Sequence, residues 1–357
     1  MNPYRSQPPR AFWRPAVSER NLLEIGELWK PAFPIDARTK IVTVGSCFAR
    51  HIGRALKAAS FNWLDTEPAP FHLPAALHHK YGYGTFSFRT GNIYTAEMLR
   101  QWLAWALGKA QPPAEIWRER AEDGSERFID PFRPAIEPGG FASVDELLAV
   151  RRQTLACIAQ AAREADLWVF TLGLTEAWGS KSSNHVYAVC PGTAGGTFDK
   201  TQHGFHNFTY PEIIANLKAS IALVREVRPN AKFLLTVSPV PLTATATANH
   251  VLVATEYSKS VLRAVAGDTR NSLPGVDYFP SYEIITAPPF RGMFFDPNMR
   301  TVSPAGVDFV MKHFFAAVDA DRAPAATAAA PTDEARKVDL RPDPECEDAL
   351  LDMFASR

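Results

Sequence analysis

Four short apolar runs along the chain predict buried β-strands. They are rich in β-branched and aromatic residues, and each ends at a Gly, Ser or Pro. Such continuous apolar runs are typical of strands that are covered on both faces of a sheet. The four runs lie at 40–45, 167–172, 233–237 and 276–279.

Amphipathic segments between these runs predict helices. Ser143 and Thr209 each open a capping box with a Glu three residues later, which satisfies free N–H groups at a helix start. The two helices run to about 164 and about 227. Asn249 is the predicted N-cap of a helix over 250–266, and Ser303 precedes a last helix. Alternation of strands and helices predicts an α/β fold whose central, mostly parallel sheet is covered on both faces.

The chain divides into three predicted parts. Residues 1–38, rich in Pro and aromatic residues, form an N-terminal arm; 39–318 form the α/β domain; and 319–357 form a flexible Ala- and Pro-rich tail. Within the domain, 115–129 predicts a small inserted β-hairpin, because two short strands flank an Asp-Gly pair. A short helix is expected over 348–354.

The charge balance and the cysteine spacing disfavour two classes of protein, nucleic-acid binders and zinc ribbons. The chain has 38 Lys and Arg residues against 38 Asp and Glu residues, whereas proteins that grip nucleic acid through its phosphates usually carry a basic excess. Its 4 cysteines form no CxxC pair, which disfavours a zinc ribbon and fits a reducing compartment. We expect no nucleic-acid partner, no metal and no cofactor. Without a leader sequence or an apolar run of membrane-span length, the sequence predicts a soluble, cytoplasmic protein with no membrane insertion.

Ser46 is the sharpest chemical signal, because it follows the first predicted strand at the point where a helix begins. Ligands bind at the carboxyl ends of the strands in open parallel sheets. Two interpretations of Ser46 stay open. It caps the helix, which the spacing alone favours, or it attacks an acyl carbon while its own N–H helps to hold the oxyanion. The neighbouring Cys47 is interpreted as a small core residue rather than as the nucleophile.

Several strings in the chain resemble those of the GSCFA family. The Gly-Ser-Cys-Phe-Ala string at 45–49 carries the likeness, which covers roughly 35–315. The other matching strings lie at 83–85, 91–95, 171–178, 207–209, 236–240, 257–260 and 278–283. The family looks like a branch of the SGNH (GDSL-like) hydrolases. The resemblance therefore implies a three-layer sandwich with an SGNH-like, flavodoxin-like topology, and ester chemistry.

The resemblance also assigns roles to single residues. Ser46 takes the nucleophile position, and Gly84 that of a glycine whose N–H donates to the oxyanion. Thr175 stands where SGNH enzymes carry an Asn donor and offers one hydroxyl hydrogen bond in its place. Asp296 matches the acid of an Asp-x-x-His pair, but Met299 occupies the position of the base and cannot accept a proton.

Other histidines are therefore the candidate bases. Shifting the frame by two residues puts Thr301 at the base position, which is no better than Met299. His250 is the first candidate, because the loop before its helix can reach the ends of the strands; His206 is the second. Two further histidines of the long loop that follows Glu176 are His185 and His203.

Two functions follow from these residues. The first is a serine-dependent esterase or acyltransferase that acts on a small-molecule ester or an acylated carbohydrate. The second is a catalytically degenerate fold that binds a glycan or another partner, since the expected histidine is missing. The acyl group, its acceptor and the oligomeric state stay open.

Overall fold

A computed structural model describes residues 1–318 and 347–355. The expected flexible tail lies outside the described residues, except for 347–355. The strands of the described residues are β1 (Ile41–Gly45), β2 (Trp117–Arg120), β3 (Glu126–Ile129), β4 (Leu167–Leu172), β5 (Glu176–Ser180), β6 (His203–Asn207), β7 (Lys232–Val237) and β8 (Val276–Tyr278). Their helices are α1 (Phe48–Ala58), α2 (Ala75–His78), α3 (Ala96–Ala106), α4 (Val144–Glu164), α5 (Tyr210–Val227), α6 (Val251–Ser272), α7 (Ser281–Thr286) and α8 (Pro304–Val318).

A four-stranded parallel sheet in the order β1-β4-β7-β8 forms the centre of the molecule. These are the four strands that the apolar runs predict. Gly45 pairs with Thr171 at the carboxyl end of β1. The carboxyl ends of neighbouring strands consequently meet at one edge of the sheet, as the sequence predicts.

Helices cover both faces of this sheet, and the pleat divides the strand residues between two cores. On β1 and β4, Val44 and Phe170 join one core together with side chains of α3, α4, α5 and α6. Ile41 and Val169 point to the opposite face and join a second core with side chains of α1, α7 and α8. The α/β class is therefore confirmed, because successive strand residues alternate between two buried faces.

Helix α6 differs from its prediction at both ends. Its N-cap is His250 rather than Asn249, and the helix continues to Ser272 instead of ending near 266. The Nδ1 atom of His250 accepts a hydrogen bond from the N–H of Leu252 at 3.2 Å. An imidazole thus fills the position for which Asn was expected.

The segment after β4 is not the long loop that the sequence indicates. β5 and β6 pair antiparallel in it, with Trp178 opposite Phe205, so that His203 and His206 lie on a strand. This pair escaped prediction because its strands contain Gly179 and Gly204 and are only partly buried. β2 and β3 form a second antiparallel pair.

The N-terminal arm contacts the domain through Trp29. The indole stacks on Phe314, and its Nε1 donates to Asp277 at 3.1 Å. Trp13, by contrast, is exposed. The expected short helix near the other terminus is a 3-10 helix, Glu347–Phe354.

Candidate active site

Ser46 lies in the turn between β1 and α1. Its N–H donates to the carbonyl oxygen of Thr171 at 3.0 Å, which extends the β1–β4 ladder by one residue. Gly45 has φ +135° beside the β4 backbone, and a Cβ there would lie 2.4 Å from the Thr171 oxygen. Only glycine fits this approach of the two strands. The N–H of Ser46, one of the expected oxyanion donors, is therefore engaged in the sheet, which corrects that expectation.

The side chain of Ser46 does not cap α1. The N-cap residue is Cys47, and α1 has no side-chain cap. Ser46 is 2% exposed, and among the described residues its Oγ has no hydrogen-bond partner. The capping interpretation is therefore wrong. A buried hydroxyl left unpaired costs about 1–3 kcal/mol. The Thr171 hydroxyl is also buried without a partner among the described residues, but only Ser46 lies at the turn between β1 and α1, which makes it the candidate for a functional role.

Gly173 makes the space that the Ser46 side chain occupies. A Cβ on Gly173 would lie 2.7 Å from the Cβ of Ser46 and 3.1 Å from the carbonyl oxygen of Tyr94. The same Tyr94 oxygen accepts from the N–H groups of Gly173 and Leu174, both at 3.0 Å. The turn after β4 and the segment around Tyr94 thus hold Ser46 from two sides.

Lys259 is a functional candidate that sequence reasoning missed. It is 1% exposed on α6, and its Nζ donates to the carbonyl oxygen of Gly173 at 2.7 Å. The amine of Lys259 therefore bonds to the residue that packs directly on Ser46. The spacing of apolar residues could have revealed that Lys259 is buried, because it lies three residues before Leu262 and seven before Ala266 on the same face of α6.

Thr175 bonds through its hydroxyl to the side-chain amide of Asn207, so that this hydroxyl is not available to donate to an oxyanion in this structure. Its Oγ1 donates to Oδ1 of Asn207 at 2.7 Å, and its N–H donates to Oγ of Ser258 at 3.1 Å. The hydroxyl hydrogen is consequently committed in this structure. Asn207, at the end of β6, carries the kind of carboxamide that the chain lacks at position 175. The sequence places it in the family string 207–209 and beside His206, but does not indicate its contact with Thr175.

Gly84 lies in the segment between α2 and α3, whose residues Gly82 and Thr85 line a pocket together with Arg50 in the first turn of α1. Its φ is +65°, and the nearest atom to a Cβ built there is Nζ of Lys57, at 3.6 Å. Lys57 is in the last turn of α1, whereas Ser46 precedes the first. The assignment of Gly84 as an oxyanion donor stays a prediction.

His250 is an exposed N-cap, so its ring serves the start of α6. His206 pairs through Nε2 with Glu212 at 2.9 Å. His185 contacts Glu115 at 3.2 Å, and Nδ1 of His203 accepts from a backbone N–H at 3.0 Å. Within residues 1–318 and 347–355, no imidazole is hydrogen-bonded to the Ser46 hydroxyl.

Asp296 lies in a tight turn just before α8. Its N–H donates to the carbonyl oxygen of Thr301, and its own carbonyl accepts from Met299, both at 2.8 Å. Met299 adopts φ +54° and is exposed. Burial raises the pKa of Asp296 above its usual value. The turn gives this carboxyl no imidazole to orient, since Met299 occupies the position where a histidine is expected.

Glu176 organises the loop that follows β7. Its carboxylate accepts from Oγ1 of Thr245 at 2.6 Å and from the N–H of Ala246 at 3.2 Å. The described residues contain no cluster of three or more His, Cys, Asp or Glu side chains placed to hold a metal ion. They also contain no helix that is both long and apolar enough to span a membrane.

Comparison with known proteins bears on the region that carries this site. No curated protein matches the chain. The family model described as GSCFA family matches residues 40–314. This range includes Ser46, Gly173 and Lys259, and it spans most of the chain. The protein therefore belongs to the GSCFA family.

Proposed function

We propose that the protein carries out serine-dependent acyl chemistry, as an esterase or an acyltransferase, with Ser46 as the nucleophile. The observation that carries the proposal is the buried Ser46 hydroxyl, which neither caps α1 nor bonds to another described residue. The family's likeness to SGNH hydrolases, with their three-layer, flavodoxin-like topology, supports the same reaction class. The substrate is a small-molecule ester, for example an acylated carbohydrate.

In the proposed reaction, Oγ of Ser46 attacks the ester carbonyl carbon and forms a tetrahedral oxyanion. The C–O bond then breaks, the alcohol leaves with a proton, and the acyl group stays on Ser46. Water or an acceptor hydroxyl attacks this acyl-serine and releases the enzyme. Hydrolysis and transfer differ only in this second nucleophile.

The oxyanion needs donors other than the N–H of Ser46, which bonds to Thr171. The N–H group of Phe48 lies in the first turn of α1, where the positive end of the helix dipole lies. Lys259 adds a buried hydrogen-bond donor at the carbonyl oxygen of Gly173. We assign oxyanion stabilisation to these groups, with Gly84 and Asn207 as further candidates.

A second function is favoured by one specific observation. No imidazole among the described residues bonds to Ser46, and attack requires an acceptor for the hydroxyl proton. If no group fills this role when substrate binds, the same site binds an ester or a glycan without turning it over. The proton acceptor is thus what separates the two candidate functions.

Labelling with a fluorophosphonate probe tests the proposal, because such probes react with nucleophilic serines. We expect one labelled serine, identified by peptide mass spectrometry as Ser46, and no labelling of the Ser46→Ala variant. Ser238→Ala is the matched control, since Ser238 is a buried serine at the end of β7. Equal labelling of wild type and Ser46→Ala would overturn the assignment. Labelling of Ser46 without turnover of acetyl esters would favour the binding function.

A further inference from the structure

An apolar cavity of about 200 Å³ lies next to the Ser46 turn. Tyr94 and Leu174 contribute to its lining. Both belong to the hydrogen-bonded junction in which the Tyr94 carbonyl accepts from Gly173 and Leu174. Gly173 packs directly on Ser46 and precedes the lining residue Leu174 in the chain, so one residue connects the lining of the cavity to the nucleophile.

The lining of this cavity suits an apolar, uncharged group. Met98, Leu174, Trp178, Phe205 and Leu242 contribute to the lining. Glu176 also borders it, but its carboxylate already accepts hydrogen bonds from the loop after β7. Engineered apolar cavities of about 150 Å³ take up benzene. A space of about 200 Å³ therefore accommodates an acyl chain of roughly six carbons.

One wall of the cavity comes from the far end of the chain. Leu351, in the 3-10 helix Glu347–Phe354, lines it opposite the domain residues. Its neighbour Leu350 is 41% exposed. The family match ends at residue 314, so this wall is supplied by sequence beyond the part that defines the family.

From these contacts we infer that the cavity is the acyl subsite, and that Leu351 closes it and limits the length of the chain it takes. The inference rests on the proposed function and names its substrate class: esters of apolar, medium-length acyl groups. The acyl chain lies among Leu174, Trp178 and Leu351 while its carbonyl carbon faces Ser46. The C-terminal helix then acts as a specificity element for the domain.

The test measures the rate at which alkyl fluorophosphonates of one, four, six and twelve carbons label Ser46 in the full chain. Each buried methylene favours binding by about fourfold, so we expect the six-carbon probe to react at least tenfold faster than the methyl probe. The twelve-carbon probe exceeds the cavity and should react more slowly than the six-carbon one.

Variants of the 3-10 helix Glu347–Phe354 then test whether Leu351 limits the length of the acyl chain. Leu351→Asp places a charge in the apolar lining and should reduce the preference for six carbons to threefold or less. Leu351→Ala enlarges the cavity and should move the optimum to a longer chain. Leu350→Asp is the matched control, because the same charge on an exposed neighbour should leave the profile unchanged. A flat profile in wild type, or equal profiles for Leu351→Asp and Leu350→Asp, would overturn the inference.

Failure of the proposed function would look different from failure of the subsite. If no probe labels Ser46, the proposed function fails, and the cavity is tested by calorimetric binding of hexanol, which cannot react. Hexanol binding that Leu351→Asp abolishes and Leu350→Asp preserves would support the subsite. Equal hexanol binding by both variants, or no binding by wild type, would contradict it.

Discussion

Two buried polar regions of this protein differ in how their side chains are hydrogen-bonded. Around Asp130, the carboxylate accepts from Arg133 at 2.9 Å and from Arg151 at 2.9 Å, and Arg133 also bonds to Thr154. Around Ser46, a hydroxyl is equally buried and has no hydrogen-bond partner among the described residues. The first arrangement joins the segment 130–133 to α4. Each region leaves one buried atom without a partner among the described residues, Nη2 of Arg133 in the first and Oγ of Ser46 in the second. Only the Ser46 oxygen is of a type that can attack an acyl carbon, and this chemical difference separates the two regions.

Removing the charge of Asp130 should have the largest effect on stability. Burial alone would raise the pKa of Asp130, but the charges of Arg133 and Arg151 outweigh it and hold the pKa below its usual value. Asp130→Asn leaves two buried guanidinium groups without their counter-charge, and breaking such a pair costs about 3–5 kcal/mol. Denaturant unfolding at pH 7 measures the loss. Asp308→Asn, at an exposed position, is the control and should change stability by about 0.5 kcal/mol or less.

The pH dependence of this difference has a definite sign. A lowered pKa in the folded state gives stability that is present above the unfolded value of about 3.9 and is lost as the pH falls through the folded value. The gap between wild type and Asp130→Asn should therefore shrink below about pH 4. A gap that stays constant from pH 7 to pH 3 would contradict the ionised state of Asp130.

The sequence predicts those features of the two regions that depend on residues close together in the chain, and misses those that depend on residues far apart. The apolar runs and caps predict β1, β4 and the helix that starts at Val144 nearly to the residue, because those signals are local. The sequence also places Ser46 at a strand-to-helix turn. It does not reveal that Gly173 opens the space for Ser46, since these residues are far apart in the chain.

The predictions for the histidines also failed because they depended on contacts between distant parts of the chain. His250 seemed able to reach the strand ends, yet it caps α6. Lys259, nine residues later, reaches Gly173 in the turn after β4, because it lies on the buried face of α6. The sequence singles out histidines because imidazole is the usual base for a serine nucleophile. Which side chain lies near Ser46 depends instead on how the helices pack, and the sequence alone does not show that packing.

Filling the space at Gly173 should have the next largest effect. In Gly173→Ala the new methyl group would lie 2.7 Å from the Cβ of Ser46, and overpacking of this kind costs about 1–3 kcal/mol. The displaced Ser46 should also react more slowly with fluorophosphonates. Gly204→Ala is the matched control, because its nearest contact is the flexible side chain of Lys181 at 3.4 Å. Normal labelling of Gly173→Ala would show that Ser46 needs no such space.

Neutralising Lys259 should lower reactivity with a smaller effect on the fold. Lys259→Met keeps an unbranched side chain but removes the charge beside Gly173, so the labelling rate of Ser46 should fall about tenfold, which corresponds to about 1.4 kcal/mol. Lys312→Met, at an exposed site on α8, should label at the wild-type rate. Equal rates for the two variants would remove Lys259 from the site.

Replacing His250 should have the smallest effect. Asn is a good N-cap, so His250→Asn should preserve α6 and change the labelling rate by less than about twofold. The comparison uses pH 5 to 8, where an imidazole base would produce a titration. Loss of labelling in a folded His250→Asn protein would restore His250 as the base and show that its ring moves when substrate binds.

The central claim is that the Ser46 hydroxyl serves chemistry rather than structure, and the free energy of unfolding of Ser46→Ala tests it most directly. Because that hydroxyl is buried without a partner among the described residues, its removal should leave the free energy of unfolding equal to that of wild type or raise it by up to about 3 kcal/mol, while fluorophosphonate labelling disappears. A loss of about 1 kcal/mol or more, the usual cost of deleting a helix cap, together with labelling that persists, would contradict the account.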